Sequence, residues 1–314
     1  MKILFVDTVH PYLEEKLKEK GFDVSHFTSF DKERFIQVAG NYEGFIIRSK
    51  FVLDKKMLDH CKQLKFIARA GAGMENIDVN HARHLGIECI SSPEGNRDAV
   101  GEHALGMLLM LMNHLKKVDA EVRNGVWVRA ENRGYELMGK TVGIIGYGNT
   151  GSKFAKKISG FECNILVYDK YRKEIKENYV NQVEMQEIFD QADILSLHIP
   201  LTDETHYLVN EDYISKFKKP FYLINTARGK NLDTSALVAA LESGKICGAC
   251  LDVSEYESSS FEKMGYDELP KPFQYLVDSD HVILSPHIAG WTNESNYKMS
   301  FYLAEKIMKI FKAK

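Results

Sequence analysis

The chain has 314 residues, 44% of them hydrophobic and 27% charged, with 41 Lys and Arg against 44 Asp and Glu for a formal net charge of −3. That balance belongs to ordinary globular proteins, and the length allows two domains with a core each. It excludes a low-complexity disordered chain and a basic surface for nucleic acid or anionic membrane, and five scattered cysteines do not read as a disulfide framework.

The apolar run at residues 2–7 is too short for a signal peptide and predicts a first buried strand. Further runs at 23–27, 44–48, 64–70 and 88–92 alternate with amphipathic segments such as 12–20, which Gly21 closes. This alternation predicts parallel strands joined by crossover helices, without a phosphate-loop glycine pattern after the first strand. His81 and His84 lie three apart on a predicted helix, but no carboxylate or cysteine set completes a metal site, so they read as surface residues. A long helical stretch is predicted from about Arg97 to Arg123. Its apolar part, 104–112, falls short of the roughly 20 residues of a membrane span, and His103 beside it reads as a core or interface residue.

A second set of strands is predicted at 141–146, 164–169, 194–199, 221–226, 248–253 and 281–286. The first ends in Gly146-Tyr147-Gly148-Asn149-Thr150-Gly151. In such a loop the first glycine permits a tight strand-to-helix turn, the second lets the backbone approach a pyrophosphate and the third lets helix pack on strand. The helix beginning near Asn149 directs free N–H groups at the anion. Asp169 ends the next strand, about 20 residues on, where a carboxylate accepts hydrogen bonds from the adenosine ribose and repels a 2′-phosphate, which favours NAD over NADP. Cys247 and Cys250 fall in a strand-like run that turns their side chains to opposite faces, against a metal or redox role. The last segment, 293–314, reads as one amphipathic helix with Tyr297, Phe301, Ala304, Met308 and Phe311 along one face, folding back on the first domain.

Three segments stand at predicted strand ends, where open parallel sheets place ligands. They are Asn225-Thr226-Ala227-Arg228-Gly229, Leu251-Asp252-Val253-Ser254-Glu255-Tyr256-Glu257 and Leu284-Ser285-Pro286-His287-Ile288-Ala289-Gly290-Trp291. An Arg for a carboxylate and carbonyl, a His for the proton and a Glu to hold that His suit hydride transfer to a 2-keto acid. With Arg69-Ala70-Gly71-Ala72-Gly73-Met74-Glu75-Asn76-Ile77-Asp78, Glu102-His103-Ala104-Leu105 and Leu197-His198-Ile199-Pro200-Leu201-Thr202, the chain resembles the NAD-dependent D-isomer-specific 2-hydroxyacid dehydrogenases over essentially its full length.

The resemblance implies an α/β fold of two Rossmann-like or flavodoxin-like domains, each a parallel sheet flanked by helices. Residues 1–95 plus 290–314 would form a discontinuous substrate domain, 96–289 an NAD-binding domain, and the active site would lie in the cleft between them. It implies Arg228, Glu257 and His287 as the catalytic set. Glu257 is the second carboxylate after the Leu-Asp-Val strand, rather than Glu255. Gly146, Tyr147, Gly148, Asn149, Thr150, Gly151, Asp169, His198, Pro200, Thr226, Ala227, Asp252 and His287 would bind NAD, with Asp252 near the nicotinamide amide and His198 taking no part in chemistry. Ala72 and Gly73 would meet the substrate carboxylate through backbone N–H groups. Arg48 and Ser49 at a strand end, and Arg129 after Trp127, would face a substrate phosphate in the manner of members acting on 3-phosphoglycerate. Two departures stand out: Ser258-Ser259-Ser260-Phe261, with a longer loop before His281, and Lys230-Asn231 where relatives are more often apolar.

Substrate identity stays open among 3-phosphoglycerate, glyoxylate or hydroxypyruvate and D-lactate-type acids. In a different class, an NAD-sensing corepressor-like binding protein would keep the same residues. A cytoplasmic homodimer is expected, paired through the nucleotide-binding domain by the long helix and the arm at 124–135, with no metal, nucleic acid or membrane. A chain ending at its closing helix is expected to lack a regulatory C-terminal domain.

Overall fold

In the computed structural model, residues 1–257 and 266–311 are described. The chain divides into two compact units, Met1–Arg97 with Trp291–Lys314, and Asp98–Gly290. In the first, β1 (Lys2–Phe5), β2 (Asp23–His26), β3 (Gly44–Ile47), β4 (Phe66–Arg69) and β5 (Glu88–Ser91) alternate with α1 (Pro11–Glu19), α2 (Lys32–Ala39), α3 (Lys55–His60) and α4 (Val79–His84). The strands pair in parallel in the order β2-β1-β3-β4-β5, the flavodoxin-like order. Central β3 is Gly-Phe-Ile-Ile and buried throughout, as a parallel strand covered on both faces requires. Asp31, Asp54 and Asp78 accept first-turn N–H groups of α2, α3 and α4.

The boundary between the units falls within α5 (Pro93–Met112). After α6 (Leu115–Arg123) come β6 (Thr141–Ile145), α7 (Asn149–Ile158), β7 (Asn164–Tyr168), β8 (Asn181–Gln182), α8 (Met185–Gln191), β9 (Ile194–Leu197), α9 (Glu211–Ser215), β10 (Phe221–Asn225), α10 (Thr234–Glu242), β11 (Ile246–Leu251), α11 (Lys271–Asp278) and β12 (Val282–Leu284). This sheet is parallel in the order β12-β11-β10-β9-β6-β7-β8. From β6 the chain builds outward through β7 and β8, then returns to β9 on the other side. The carboxyl ends of β6 and β9 therefore flank the switch point at which doubly wound sheets bind ligands. One face of the sheet packs Leu108, Met112, Phe154 and Ile158 on Val142, Ile144 and Val167. The other packs Phe189, Ile214, Phe217, Leu237 and Leu276 on Leu195, Leu223 and Ala249.

α12 (Asn293–Ile310) belongs to the first unit and starts with a capping box between Thr292 and Ser295. Its buried face is Met299, Leu303, Ala304 and Ile307. Of these, Leu303, Ala304 and Ile307 pack with Ile3, Phe66 and Ile90. Of the sequence stripe, Ala304 lies in this core and Met308 and Phe311 pack against it, while Tyr297 and Phe301 lie to one side. Tyr297 is 42% exposed, and both rings lie at the seam with α1 against Tyr12, 5.2 and 5.8 Å between centroids. Residues 312–314 of the expected helix lie outside the described residues, as do Ser258, Ser259, Ser260 and Phe261.

The single helix expected over 97–123 is two. α5 stops at Met112 and α6 restarts at Leu115, with His114 left-handed at φ 54°. A long-range contact accounts for the break. The Tyr135 N–H donates to the Met112 carbonyl at 2.9 Å, the acceptor that a continuing helix would offer to residue 116. A Cβ on Gly134 would lie 2.9 Å from the Asn113 Cα. β8 was not expected because its two residues are polar and exposed. Among the described residues no helix is long and apolar enough to cross a membrane, and no group of three His, Cys, Asp or Glu could hold a metal.

Candidate active site

The glycine loop follows β6. Gly146 has φ +89°, and a Cβ there would lie 2.4 Å from the His198 carbonyl oxygen. A Cβ on Gly151 would lie 2.0 Å from the Gly146 carbonyl oxygen. The chain itself therefore demands both glycines. Gly148 differs, being exposed with nothing within 4 Å of an added Cβ. It is also the N-cap of α7 and supplies no side-chain cap. A bare backbone turn at an uncapped helix start, open on the outside, fits the pyrophosphate of a dinucleotide.

Asp169 closes the loop. Its Oδ2 accepts the Tyr147 N–H at 2.7 Å, and its Oδ1 accepts those of Tyr171 and Arg172 at 2.9 and 3.0 Å. Burial pushes this carboxyl up, but the three backbone donors outweigh it and hold the group below its usual range. It stays ionised beside the loop, where a ribose diol fits it. His198 lies beneath, its ring nitrogens 2.9 Å from Ser196 Oγ and 3.2 Å from Thr150 Oγ1, and its ring 5.3 Å from that of Phe154. Burial pushes its pKa down to about 3, so it is a neutral prop for the loop. The Pro200 carbonyl accepts from Thr205 Oγ1. Thr226 Oγ1 is buried without a hydrogen-bond partner among the described residues, and Ala227 is buried.

Arg228, Glu257 and His287 come from the loops after β10, β11 and β12. Asn225 fixes the first loop, accepting the Ala227 N–H and donating to the Arg228 carbonyl, both at 3.0 Å. A Cβ on Gly229 would lie 2.0 Å from the Ser254 backbone. That close approach sets the β10 and β11 loops side by side and forbids any side chain larger than hydrogen there. Glu257 Oε1 accepts the Ser254 N–H at 2.6 Å, and Glu257 Oε2 lies 2.8 Å from His287 Nδ1. A carboxylate only accepts, so Nδ1 carries the proton and Nε2 is the outward nitrogen. The hydrogen bond to Glu257 raises the His287 pKa above the ordinary histidine value, while burial and the Arg228 cation work against it. Glu255 faces away, accepting from Tyr207 Oη at 2.5 Å and the Thr234 N–H at 3.0 Å.

Asp252, expected near the nicotinamide amide, is tied into the chain by its own hydrogen bonds. Its side chain is 1% exposed. Its Oδ1 accepts from Ser285 Oγ at 2.6 Å and from the Ile288 N–H at 2.9 Å, and its Oδ2 accepts the Ala289 N–H at 2.9 Å. Its backbone carbonyl accepts the His287 N–H at 2.7 Å. Three successive N–H groups thus converge on one residue and hold His287 at φ 55°, a conformation that costs a non-glycine residue about 1 kcal/mol or more unless fixed by its surroundings. His103, expected as a core or interface residue, lies with Nε2 2.9 Å from Ser285 Oγ and 3.5 Å from Asp252 Oδ1. Its place in the Glu102-His103-Ala104-Leu105 segment gave no sign of this contact, since its partners lie 149 and 182 positions further along the chain.

In the first unit, Arg48 follows β3 and Ala72 and Gly73 follow β4. Arg69 Nε donates to the Arg48 carbonyl and to Asn76 Oδ1, and Asn76 Nδ2 donates to the carbonyls of Arg48 and Phe51. A Cβ on Gly71 would lie 2.5 Å from the tip of the Arg69 guanidinium, a side chain that could shift to make room. The Arg48 guanidinium is half-buried and stacks on Trp291 at 4.4 Å; burial lowers its pKa and Asp7 partly offsets that. Ser49 and Arg129 are exposed, and Ala72 and Gly73 are half-buried.

Comparison with known proteins places these features in company. A family model described as the NAD-binding domain of D-isomer-specific 2-hydroxyacid dehydrogenases matches residues 105–289. The chain is 32% identical to a D-3-phosphoglycerate dehydrogenase of Archaeoglobus fulgidus over 99% of its own length but 58% of that protein's. It is 34% identical to a hydroxypyruvate reductase of Thermotoga maritima over 89% of this chain and 88% of the other. The structure of a D-lactate dehydrogenase from Aquifex aeolicus, complexed with NAD and lactic acid, superposes with a TM-score of 0.82 at 29% identity, covering 98% of this chain and 95% of that one.

Proposed function

Because the chain belongs to the D-isomer-specific 2-hydroxyacid dehydrogenase family, we propose that it interconverts a D-2-hydroxy acid and its 2-keto acid with NAD, using Arg228, Glu257 and His287. The observation that carries this is the 2.8 Å contact of Glu257 with His287 Nδ1, on the same sheet as a glycine loop built for a dinucleotide. NADH, when bound, supplies the hydride. Arg228 holds the substrate carboxylate through paired N–H donors and draws charge toward the 2-keto oxygen. His287 gives its Nε2 proton to that oxygen and becomes neutral, keeping the Nδ1 proton directed at Glu257. In oxidation the neutral ring takes the hydroxyl proton at Nε2, and the same contact stabilises the imidazolium that forms.

Within the family, an acid with an anionic tail of the 3-phosphoglycerate kind fits best. The half-buried Arg48 guanidinium has no carboxylate within ion-pair distance among the described residues, and Arg129 provides a second charge of the same type. Backbone N–H groups of Ala72 and Gly73 are assigned to the substrate carboxylate. The arm carrying Trp127, 80% exposed between Val126 and Val128, is assigned to self-association of a cytoplasmic homodimer. Replacing Trp127 with Glu would then shift the sedimentation coefficient to that of a monomer.

The test is a steady-state panel of 2-keto acids with NADH. Arg228-dependent turnover is expected. A protein that binds NADH with no such turnover would be an NAD-sensing binding protein instead. Replacing Arg48 or Arg129 with Ala should raise KM for phosphohydroxypyruvate by about tenfold or more and leave glyoxylate nearly unchanged. Equal effects on the two acids would remove the phosphate assignment and favour a glyoxylate, hydroxypyruvate or D-lactate-type substrate.

A further inference from the structure

His103 sits on α5, in a helix whose neighbouring residues are mainly core-forming, and 182 positions before its hydrogen-bond partner Ser285. Ser285 Oγ is 2.6 Å from the Asp252 carboxylate, which can only accept, so the hydroxyl proton goes to Asp252. Its oxygen is thereby left to accept from His103 Nε2. The chain of donors runs from the ring N–H through the hydroxyl to Asp252 Oδ1. Asp252 in turn holds the N–H groups of residues 287, 288 and 289. The turn that carries His287 is therefore anchored at its start by His103 through Ser285, and from beneath by Asp252.

That anchoring bears on geometry at the reacting atom. His287 is left-handed at φ 55°, and its side chain is about half exposed. Its orientation follows from the backbone of residues 285–289 and from Glu257. A turn loosened at Ser285 would let Nδ1 drift from Glu257, and displacement on the order of 1 Å costs up to about 100-fold in rate.

We propose that His103 is a positioning residue for the proton-transfer step, acting through Ser285 and Asp252 to hold the His287 turn against Glu257. The proposal rests on the acid–base reading of His287. The charged groups around His287 are Glu257, Asp252 and Arg228, and Asp252 also lies near His103. Loss of the His103 bridge weakens the Glu257 contact, so the His287 pKa falls toward the ordinary histidine value.

The experiment compares His103→Phe, His103→Gln and His287→Asn with the parent protein. Ring 1H–13C resonances of the histidines are titrated in the protein without NADH, with His287→Asn supplying the assignment. NADH affinity comes from fluorescence and kcat from keto-acid reduction across pH. For H103F the His287 titration should move to lower pH, kcat should fall between about 10- and 100-fold, and NADH affinity should hold. H103Q keeps an N–H donor and should recover most of both. The proposal is overturned if H103F lowers only the melting temperature while the His287 titration and the kcat profile stay in place, or if H103Q fails to recover them. Should H103F not fold, Ser285→Ala removes the same bridge and carries the same expectations. If H287N itself keeps full turnover, the acid–base reading falls instead, a result distinct from an inert H103F.

Discussion

The glycine loop after β6 and the strand-end cluster after β10, β11 and β12 lie on one sheet but are built by different means. The loop is a single run of six residues shaped by sterics. Two of its glycines are required by backbone carbonyls 2.0 and 2.4 Å from where a Cβ would stand, and the third faces open space. The cluster instead gathers side chains from three loops, held by hydrogen bonds of the Arg228 loop to Asn225, of Glu257 to the Ser254 N–H and of the His287 turn to Asp252. A loop held by exclusion should fail abruptly when a side chain is added. A cluster held by donors and acceptors should lose function by degrees as each is removed.

Three measurements can break or sharpen that contrast. The largest effect is expected from Gly151→Ala, whose methyl would overlap the Gly146 carbonyl. It should cost about 2–3 kcal/mol in urea unfolding and abolish measurable NADH binding, whereas retained binding would mean the loop yields more easily than its geometry says. Next, Glu257→Gln should lower kcat by about tenfold or more and move the pH profile. Glu257 raises the His287 pKa, and reduction needs the protonated ring. The parent rate therefore falls as pH rises through that raised pKa, and in E257Q the fall comes at lower pH, while oxidation gains its rate at correspondingly lower pH. An unmoved profile would detach Glu257 from proton transfer. His198 cannot produce this limb, since burial keeps it neutral down to a pKa of about 3. The smallest structural effect is expected from Gly148→Ala, which meets nothing in the chain. Its stability should stay within about 1 kcal/mol of the parent, while NADH titration shows weakened affinity. A large loss of stability would remove the argument that Gly148 is small for a ligand.

The same contrast governs what could be read from the sequence. Strand runs such as Gly-Phe-Ile-Ile at β3 and the glycine loop are local, because periodicity and φ preference act over a few residues. The family resemblance supplied the residues of the cluster, yet their tethers stayed hidden. The bond between His103 and Ser285 spans 182 positions, and the four hydrogen bonds that Asp252 accepts come from residues 285, 287, 288 and 289, well beyond it in the chain. The break at His114 was equally invisible, since its cause is Gly134 and Tyr135 arriving from further along the chain. In α12 the stripe was legible at Ala304, Met308 and Phe311, which lie in or against the core. At its start, aromatic Tyr297 and Phe301 outrank Met299 and Leu303 by size, although the smaller residues are buried and the rings cover the seam with α1.

The convergence of three consecutive N–H groups on Asp252 bears on how such a protein can diversify. The site of proton transfer is located from two strands at once: His287 follows β12, while the hydrogen bonds that hold its turn end on Asp252 after β11. A buried carboxylate that anchors three consecutive N–H groups sets the place of the proton donor from outside the donor's own loop, so residue 252 is constrained by where that donor must stand and not only by its own surroundings.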